Sequence, residues 1–447
     1  MNVVYDTALG ERVQLIGPKQ GRFTMYVCGP TVDNSAHLGH GRLAIVFDLL
    51  RRHLEKRGVE VVMVQNITDV DDKIIDRAKR SGRTPMEVAR EFEAAWFSTL
   101  DRLRILRPTH SPRATEWIPQ MIGMIAEMVD NGSAYRISDG VYLSVDRVEG
   151  YPRLSRQDRD ELLAGARVEV SEEKRSPLDF ALWKLASAQE YGFDSPWGWG
   201  RPGWHTECVA MSLGLLGEGF DLHGGGMDLV FPHHENEWAQ AAVLGKRFCR
   251  HWMHNGLVEM AGEKMSKSIG NTMSLAEALD RYGPRPLRLA YLRAQYRSPL
   301  EMGEAVLDEA ERALERIDDF IRRVQGAVSA AAAPKMEEFA AALDDDLDTP
   351  RAFAILFEAV RAGNAAIDAG QLDAARALAG SVAGMLDWVG IGLERLEIPG
   401  EIAELVAERE RAKASRDYVS ADRIRERLGE LGYVLKDTRD GPVISRA

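Results

Sequence analysis

The stretch from Phe23 to Gln65 constrains the fold more than any other. "FTMYVCG" is a short apolar run, aromatic and β-branched, ended by Gly29-Pro30, and reads as a buried strand. "GRLAIVFDLLRRHLEKRG" carries apolar residues at helical spacing and stops at Gly58. "VEVVMVQNITDVDDKI" is a second hydrophobic strand running into a polar loop and an acidic helix start. Strand, loop, helix and strand in this order form a βαβ unit. That unit predicts a parallel sheet with its ligand at the carboxyl ends of the strands.

The texture changes from Glu116 to Arg201. "GSAYRISDGVYLSV" reads as a hairpin, and "KRSPLDFALWK" and "DSPWGWGRPGW" are turn-rich and crowded with tryptophan. The sheet resumes at "FDLHGGGMDLVFPHHENEWAQAAVLG", and Ser298 to Glu394 is Ala/Leu/Glu/Arg-rich at helical period. The tail "YVSADRIRERLGELGYVLKDTRDGPVI" reads as helix, Gly-terminated turn and short hairpin. The predicted fold class is α/β: a Rossmann-like doubly wound parallel sheet interrupted by a connective insertion, then an α-helical bundle and a small α+β domain. The expected boundaries are residues 1–115 and 202–297 for the two halves of the sheet domain, 116–201 for the insertion, 298–397 for the bundle and 398–447 for the tail domain.

No basic segment followed by an apolar core opens the chain, and no run reaches the ~18 apolar residues of a membrane span. Three cysteines cannot build a disulfide framework, so reduced thiols and a cytoplasmic location are expected. With 57 basic and 69 acidic residues the net charge is −12, which excludes a bulk polycation that coats nucleic acid. Glu401 to Ala447 balances 10 basic against 10 acidic residues, so the rest of the chain carries the whole deficit.

His37 and His40 flank Gly39 between a strand and a helix, beside the free amides of a helix start that suit phosphate. Downstream, "EKMSKSIGN" sets Lys264 and Lys267 three apart in a Ser/Gly-rich loop, two mobile point charges for a polyphosphate. Cys28, Cys208, His233 and Glu237 make a plausible zinc set, with His233 and Glu237 one helical turn apart. His234 competes with His233 for that role.

An HxGH near the start combined with KMSKS downstream resembles the class I aminoacyl-tRNA synthetases. His37, Gly39 and His40 match the first motif, and Lys264, Met265, Ser266, Lys267 and Ser268 the second. Within that class the chain is similar to the cysteinyl-tRNA synthetases over nearly its whole length. The similarity includes "NITDVDDK", "SPWGWGRPGWHTEC", "LHGGGMDL", "FPHHENE" and "DDDLDTPRA", and the four candidate ligands match that family's zinc set one by one. The resemblance implies activation of L-cysteine by ATP and transfer of the cysteinyl group to tRNA(Cys). Mg²⁺ would accompany ATP, zinc would select cysteine, and a monomer would be the usual form.

It further implies that His37, Gly39, His40, Lys264, Ser266 and Lys267 serve ATP, with His37, His40, Lys264 and Lys267 catalytic. Gly29, Thr68, Trp204 and Asp228 would line the cysteine pocket. Each of the last three has another reading: Trp204 as core, Thr68 as a helix cap, Asp228 as a turn residue after three glycines. Cys249 has no matching role and reads as a structural thiol. Two departures stand out. "TVDNSAHLGH" has Asp33 and Asn34 where the family usually has Tyr-Asp, and "DGPVISRA" lacks the tryptophan common in the family's last strand. The alternatives are a cysteine ligase acylating an amino sugar, and a non-catalytic RNA-binding paralogue.

Overall fold

The computed structural model describes residues 3–15, 21–157, 172–260, 263–264, 273–324, 334–393, 400–438 and 441–446. The chain divides into two units, one formed by residues 1–311, 338–353 and 388–391, the other by residues 312–337, 354–387 and 392–447.

The first unit opens with an antiparallel hairpin, β1 (Val3–Asp6) and β2 (Glu11–Gln14). Strand β3 (Arg22–Val27), helix α1 (Leu38–Lys56) and strand β4 (Glu60–Gln65) then make the βαβ unit, with β3 and β4 parallel. Helix α1 buries Ala44, Ile45, Phe47, Leu49 and Leu50, apolar positions at helical spacing. Helices α2 (Asp72–Ser81), α3 (Pro85–Arg102) and α4 (Ile118–Asp130) follow. Thr84 and Glu87 close a capping box at the start of α3.

The insertion is a separate antiparallel sheet of β5 (Ala134–Ile137), β6 (Gly140–Leu143), β7 (Phe180–Leu185) and β8 (Gly200–Pro202). Helix α5 (Trp204–Leu216) returns the chain to the parallel sheet, where β9 (Phe220–Gly226), α6 (Glu235–Val243) and β10 (Cys249–Asn255) form its second half. The Glu235 carboxylate ties the insertion down by accepting the Arg153, Leu154 and Ser155 amides at 2.7–2.9 Å.

The parallel sheet runs in the order β10-β9-β3-β4. From β3 the chain winds outward to β4, and from β9 it winds the other way to β10. The winding reverses between β3 and β9, and a crevice opens there at the carboxyl ends. Strand β9 is buried along its whole length beneath α1. A Cβ at Gly224 would sit 2.3 Å from the Phe47 ring, so only glycine lets strand and helix close to this distance.

The second unit is helical and ends in helices Gly400–Ala414 and Tyr418–Glu430 and the antiparallel hairpin Tyr433–Thr438 with Gly441–Arg446. Ile402, Ile424, Leu428, Tyr433 and Leu435 form a small core there, and Arg409 pairs both guanidinium nitrogens with the Asp437 carboxylate at 2.7 and 2.8 Å. No helix is long and apolar enough to cross a membrane among the described residues.

Candidate active site and metal centre

A cavity of about 480 Å³ fills the crevice at the switch point, and Cys28, Gly29, His37, Gly39, His40, Trp204 and Asp228 are among its lining residues. His37 caps α1: the Gly39 N–H donates to His37 Nδ1 at 3.1 Å, and the His37 N–H donates to His40 Nδ1 at 3.2 Å. Both Nδ1 atoms are acceptors, so each ring carries its proton on Nε2. The rings lie with centroids 4.0 Å apart. Both rings thus stand at the start of α1, the end of a helix whose dipole favours an anionic ligand.

Cys28 follows β3, Cys208 sits in the second turn of α5, His233 lies in the widened turn Val230–His234, and Glu237 lies in the first turn of α6. These four side chains are buried, and their donor atoms all lie within 4.8 Å of one another. Cys28 Sγ is 3.8 Å from Cys208 Sγ and 3.5 Å from Glu237 Oε1. His233 Nε2 is 2.9 Å from Glu237 Oε1 and 3.6 Å from Cys208 Sγ.

Without a cation, a proton on His233 balances the charge on Glu237. Burial pushes the Cys28 thiol well up, and the Cys208 sulfur and Glu237 carboxylate add to the effect. Burial also opposes charge on Glu237, yet the His223, His233 and His234 rings overcome it and hold the carboxyl well below its usual range. Burial alone would pull His233 down, but Glu237 and Cys208 lift it to about 10. The His233 ring therefore keeps a proton where a divalent cation would take its place.

A second set, Cys28, His223, His234 and Glu237, also converges within 4.8 Å. It shares Cys28 and Glu237 with the first, so one cation can use only one set. His233 would bind through Nε2 and still satisfy Nδ1, which lies 2.9 Å from His205 Nδ1. His223 Nε2 lies 2.8 Å from Glu237 Oε2, but its buried Nδ1 has no partner. A metal-bound imidazole almost always donates through its other nitrogen. The donor set with His233 fits a metal; the set with His223 leaves an orphan.

Not every expected contact is found in the crevice. Gly29 lines it and donates its N–H to Asn66 Oδ1 at 2.8 Å; a Cβ there would lie 1.7 Å from the Asn66 carbonyl oxygen. Thr68 is buried behind the wall. Its hydroxyl donates to Glu207 Oε2 at 2.9 Å and accepts from Asn66 Nδ2 at 3.2 Å. Cys249 opens β10 and belongs to neither ligand set, with its thiol pushed well up by burial. Ser266 and Lys267 lie outside the described residues, and Lys264 is described by its backbone alone, paired with Glu259. Asp33, Lys73 and Trp96 line the crevice too. Of these, sequence reading noticed only Asp33; Lys73 and Trp96 come from helices whose sequence carries no sign of a ligand.

A parallel sheet reversing at the crevice, with HxGH at its mouth, defines the catalytic fold of the class I aminoacyl-tRNA synthetases. Solved structures share it at low identity: Mycobacterium tuberculosis methionyl-tRNA synthetase in complex with methionyl-adenylate aligns with a TM-score of 0.60 at 16% identity, over 86% of this chain and 94% of that one. A putative arginyl-tRNA synthetase from Campylobacter jejuni aligns with a TM-score of 0.58 at 11% identity, over 85% and 95%. Residues 15–312 match the family of class I (C) tRNA synthetase catalytic domains, 338–394 the DALR domain, and 395–442 the cysteinyl-tRNA ligase anticodon binding domain. Proteins named cysteine–tRNA ligase are 44% identical in Carboxydothermus hydrogenoformans and 43% in Geobacter sulfurreducens, each over 98% of both chains. The chain belongs to the cysteine–tRNA ligase family.

Proposed function

We propose that the chain activates L-cysteine with ATP to cysteinyl-adenylate and pyrophosphate, then passes the cysteinyl group to a ribose hydroxyl at the 3′ end of tRNA(Cys). The observation that carries this reading is the buried Cys28–Cys208–His233–Glu237 set, whose Cys28 also lines the crevice. Serine differs from cysteine by one atom, and shape alone separates such pairs by only ~10²-fold. These four residues would hold zinc, which would supply a soft Lewis acid that prefers a thiolate to a hydroxyl.

The chain's own residues do the rest. Trp204 floors the cysteine pocket, Asp228 faces the ammonium, and Gly29 lines the pocket beside them. Thr68 acts from behind the wall, through its bond to Asn66 and so to Gly29. The Nε2–H groups of His37 and His40 donate to ATP, beside Gly39. Lys264, Ser266 and Lys267 balance charge on the departing pyrophosphate, whose Mg²⁺ comes with ATP. Residues 298–397 and 398–447 hold the tRNA, the tail reading unpaired anticodon bases. A monomeric, cytoplasmic enzyme completes the proposal, with residues 1–115 and 202–297 as the two catalytic halves and 116–201 as the connective insertion.

The test is cysteine-dependent ATP–pyrophosphate exchange followed by charging of tRNA(Cys), with zinc measured on the same protein. Expected are exchange with cysteine and not with serine, charging, and about one zinc per chain. Equal exchange with serine, or full activity without metal, would overturn the selection mechanism. Exchange without charging would favour acylation of an amino sugar instead, and no exchange a non-catalytic RNA binder.

A further inference from the structure

Behind the Cys28–Cys208–His233–Glu237 set lies a row of groups that runs back from the Cys28 sulfur to the first hairpin. His234 Nε2 is 3.3 Å from Cys28 Sγ, and His234 Nδ1 is 2.7 Å from His254 Nε2. His254 Nδ1 is in turn 2.8 Å from the Thr7 hydroxyl. Both rings are buried, His234 fully, while Thr7 is half-buried in the turn between β1 and β2. That turn is held in place. The Thr7 N–H donates to the Trp252 carbonyl at 2.9 Å, and the Asp6 carboxylate accepts the Ala8 amide at 2.9 Å while facing His251 Nδ1 at 3.2 Å. The hairpin precedes residues 15–312, the stretch matched by the catalytic family.

We infer that Thr7, His254 and His234 form a one-directional chain of hydrogen bonds that ends on the Cys28 sulfur and positions it, as a thiolate, for the metal.

The direction follows from proton counting. Two facing nitrogens share one proton, so the sense of any link dictates the sense of the next. A sulfur bound to a cation is a thiolate and only accepts. His234 must then present Nε2–H, its Nδ1 accepts from His254 Nε2–H, and His254 Nδ1 accepts from the Thr7 hydroxyl. The opposite sense would set a nitrogen lone pair against a thiolate. With its Nε2 protonated, His234 has no lone pair to offer a cation, which again selects Cys28, Cys208, His233 and Glu237. Hydrogen bonds to a metal-bound sulfur fix its orientation and withdraw charge from it, and losing such outer partners typically costs about 10- to 100-fold in metal affinity. Thr7, His254 and His234 are positioning residues in this scheme; none touches substrate.

The inference rests on the metal reading, and the test separates the two. Zinc affinity of the full chain is measured by competition with a chromogenic chelator, and the cobalt(II) form is read by its thiolate-to-metal charge-transfer band. Thr7→Val removes the hydroxyl at nearly constant shape; it should weaken zinc binding by about 10-fold or more and shift the cobalt band. Thr7→Ser should restore both. His254→Leu breaks the next link and should match Thr7→Val, with metal-free melting curves confirming that each variant folds. Wild-type affinity and an unmoved band in folded Thr7→Val and His254→Leu would overturn the chain, as would a Thr7→Ser that stays as weak as Thr7→Val. A wild-type chain that takes up no zinc would instead sink the metal reading itself.

Discussion

The Trp204 ring lies against the His233 imidazole, centroids 4.1 Å apart and planes 28° from parallel. One face of this pair borders the crevice, where Trp204 is 37% exposed. The other belongs to a metal-ligand candidate. A substrate lying on Trp204 is thus one ring away from the group proposed to hold its selector. Stacked aromatic pairs contribute about 0.5–1.5 kcal/mol beyond the area they bury. Trp204→Ala is expected to raise the KM for cysteine ~2- to 10-fold while zinc content stays at wild type. Isotope-labelled exchange kinetics and metal analysis on one preparation would check both halves.

Two of the three thiols should part company under substitution. Cys208 lies within the four-donor set, whereas Cys249 opens an adjacent strand and joins neither set. Cys208→Ser should abolish stoichiometric zinc and with it cysteine activation. Cys249→Ser should keep both. Equal zinc in the two variants would contradict the assignment.

Asp48 and Arg288 form a fully buried ion pair at 2.6 Å, and the same guanidinium donates to the Val389 and Leu103 carbonyls at 2.7 and 3.1 Å. Breaking a buried pair from one side strands the other charge and costs about 3–5 kcal/mol. Asp48→Ala should therefore lower the denaturant midpoint strongly, and by more than Arg22→Ala, whose pair with Glu60 is more than half exposed. Zinc content of whatever remains folded should be unchanged, because the pair lies in α1 and its neighbours rather than among the metal ligands.

Stability of the zinc-free chain should peak near neutral pH. Burial pushes His205, His234 and His254 down, the last to about 3. The folded state binds their protons more weakly than the unfolded chain, so their contribution is full above ~6.5 and is lost as pH falls toward 3. His233 has the opposite sign. Lifted to about 10, it contributes fully below ~6.5 and loses that contribution as pH rises toward 10. Bound zinc would replace that proton, so the His233 share of the alkaline decline should vanish in the loaded form while the acid decline remains. Melting temperatures of stripped and loaded protein from pH 4 to 10 would test this; a stripped form as stable at pH 9 as at pH 7 would count against it.

What the sequence disclosed about the site follows from how each part is encoded. The βαβ unit was legible because β3, α1 and β4 are contiguous and their apolar periods differ. His37 and His40 were legible because a loop holds them three residues apart, and His233 and Glu237 because a helix turn does. Cys28 and Cys208 could be grouped with them as metal ligands, but family resemblance gave that grouping most of its weight, since 180 residues separate two thiols 3.8 Å apart. His223, His254 and Thr7 carried no signal. They come from β9, β10 and the first hairpin, and only the order of strands in the sheet sets them side by side. Thr68 was assigned to the cysteine pocket by resemblance alone; its hydroxyl donates to the buried Glu207, a partner that nothing in the sequence signals.

The capping geometry of His37 separates its structural from its chemical part. Nδ1 accepts the Gly39 amide and so steadies the first turn of α1, while Nε2–H is the atom proposed to serve the nucleotide. His37→Ala removes both and should cost about 1 kcal/mol of stability together with ~10²–10³ in the rate of adenylate formation. His37→Asn keeps a side-chain oxygen that caps as well as the imidazole does, but its amide does not reach as far into the crevice. It should melt like wild type and still lose most of the rate. Measured as pre-steady-state adenylate formation beside thermal melting, a rate loss shared by both variants with a stability loss confined to His37→Ala would assign the two nitrogens their separate tasks. Full activity in His37→Asn would show that the helix start alone, without the Nε2 donor, serves the nucleotide.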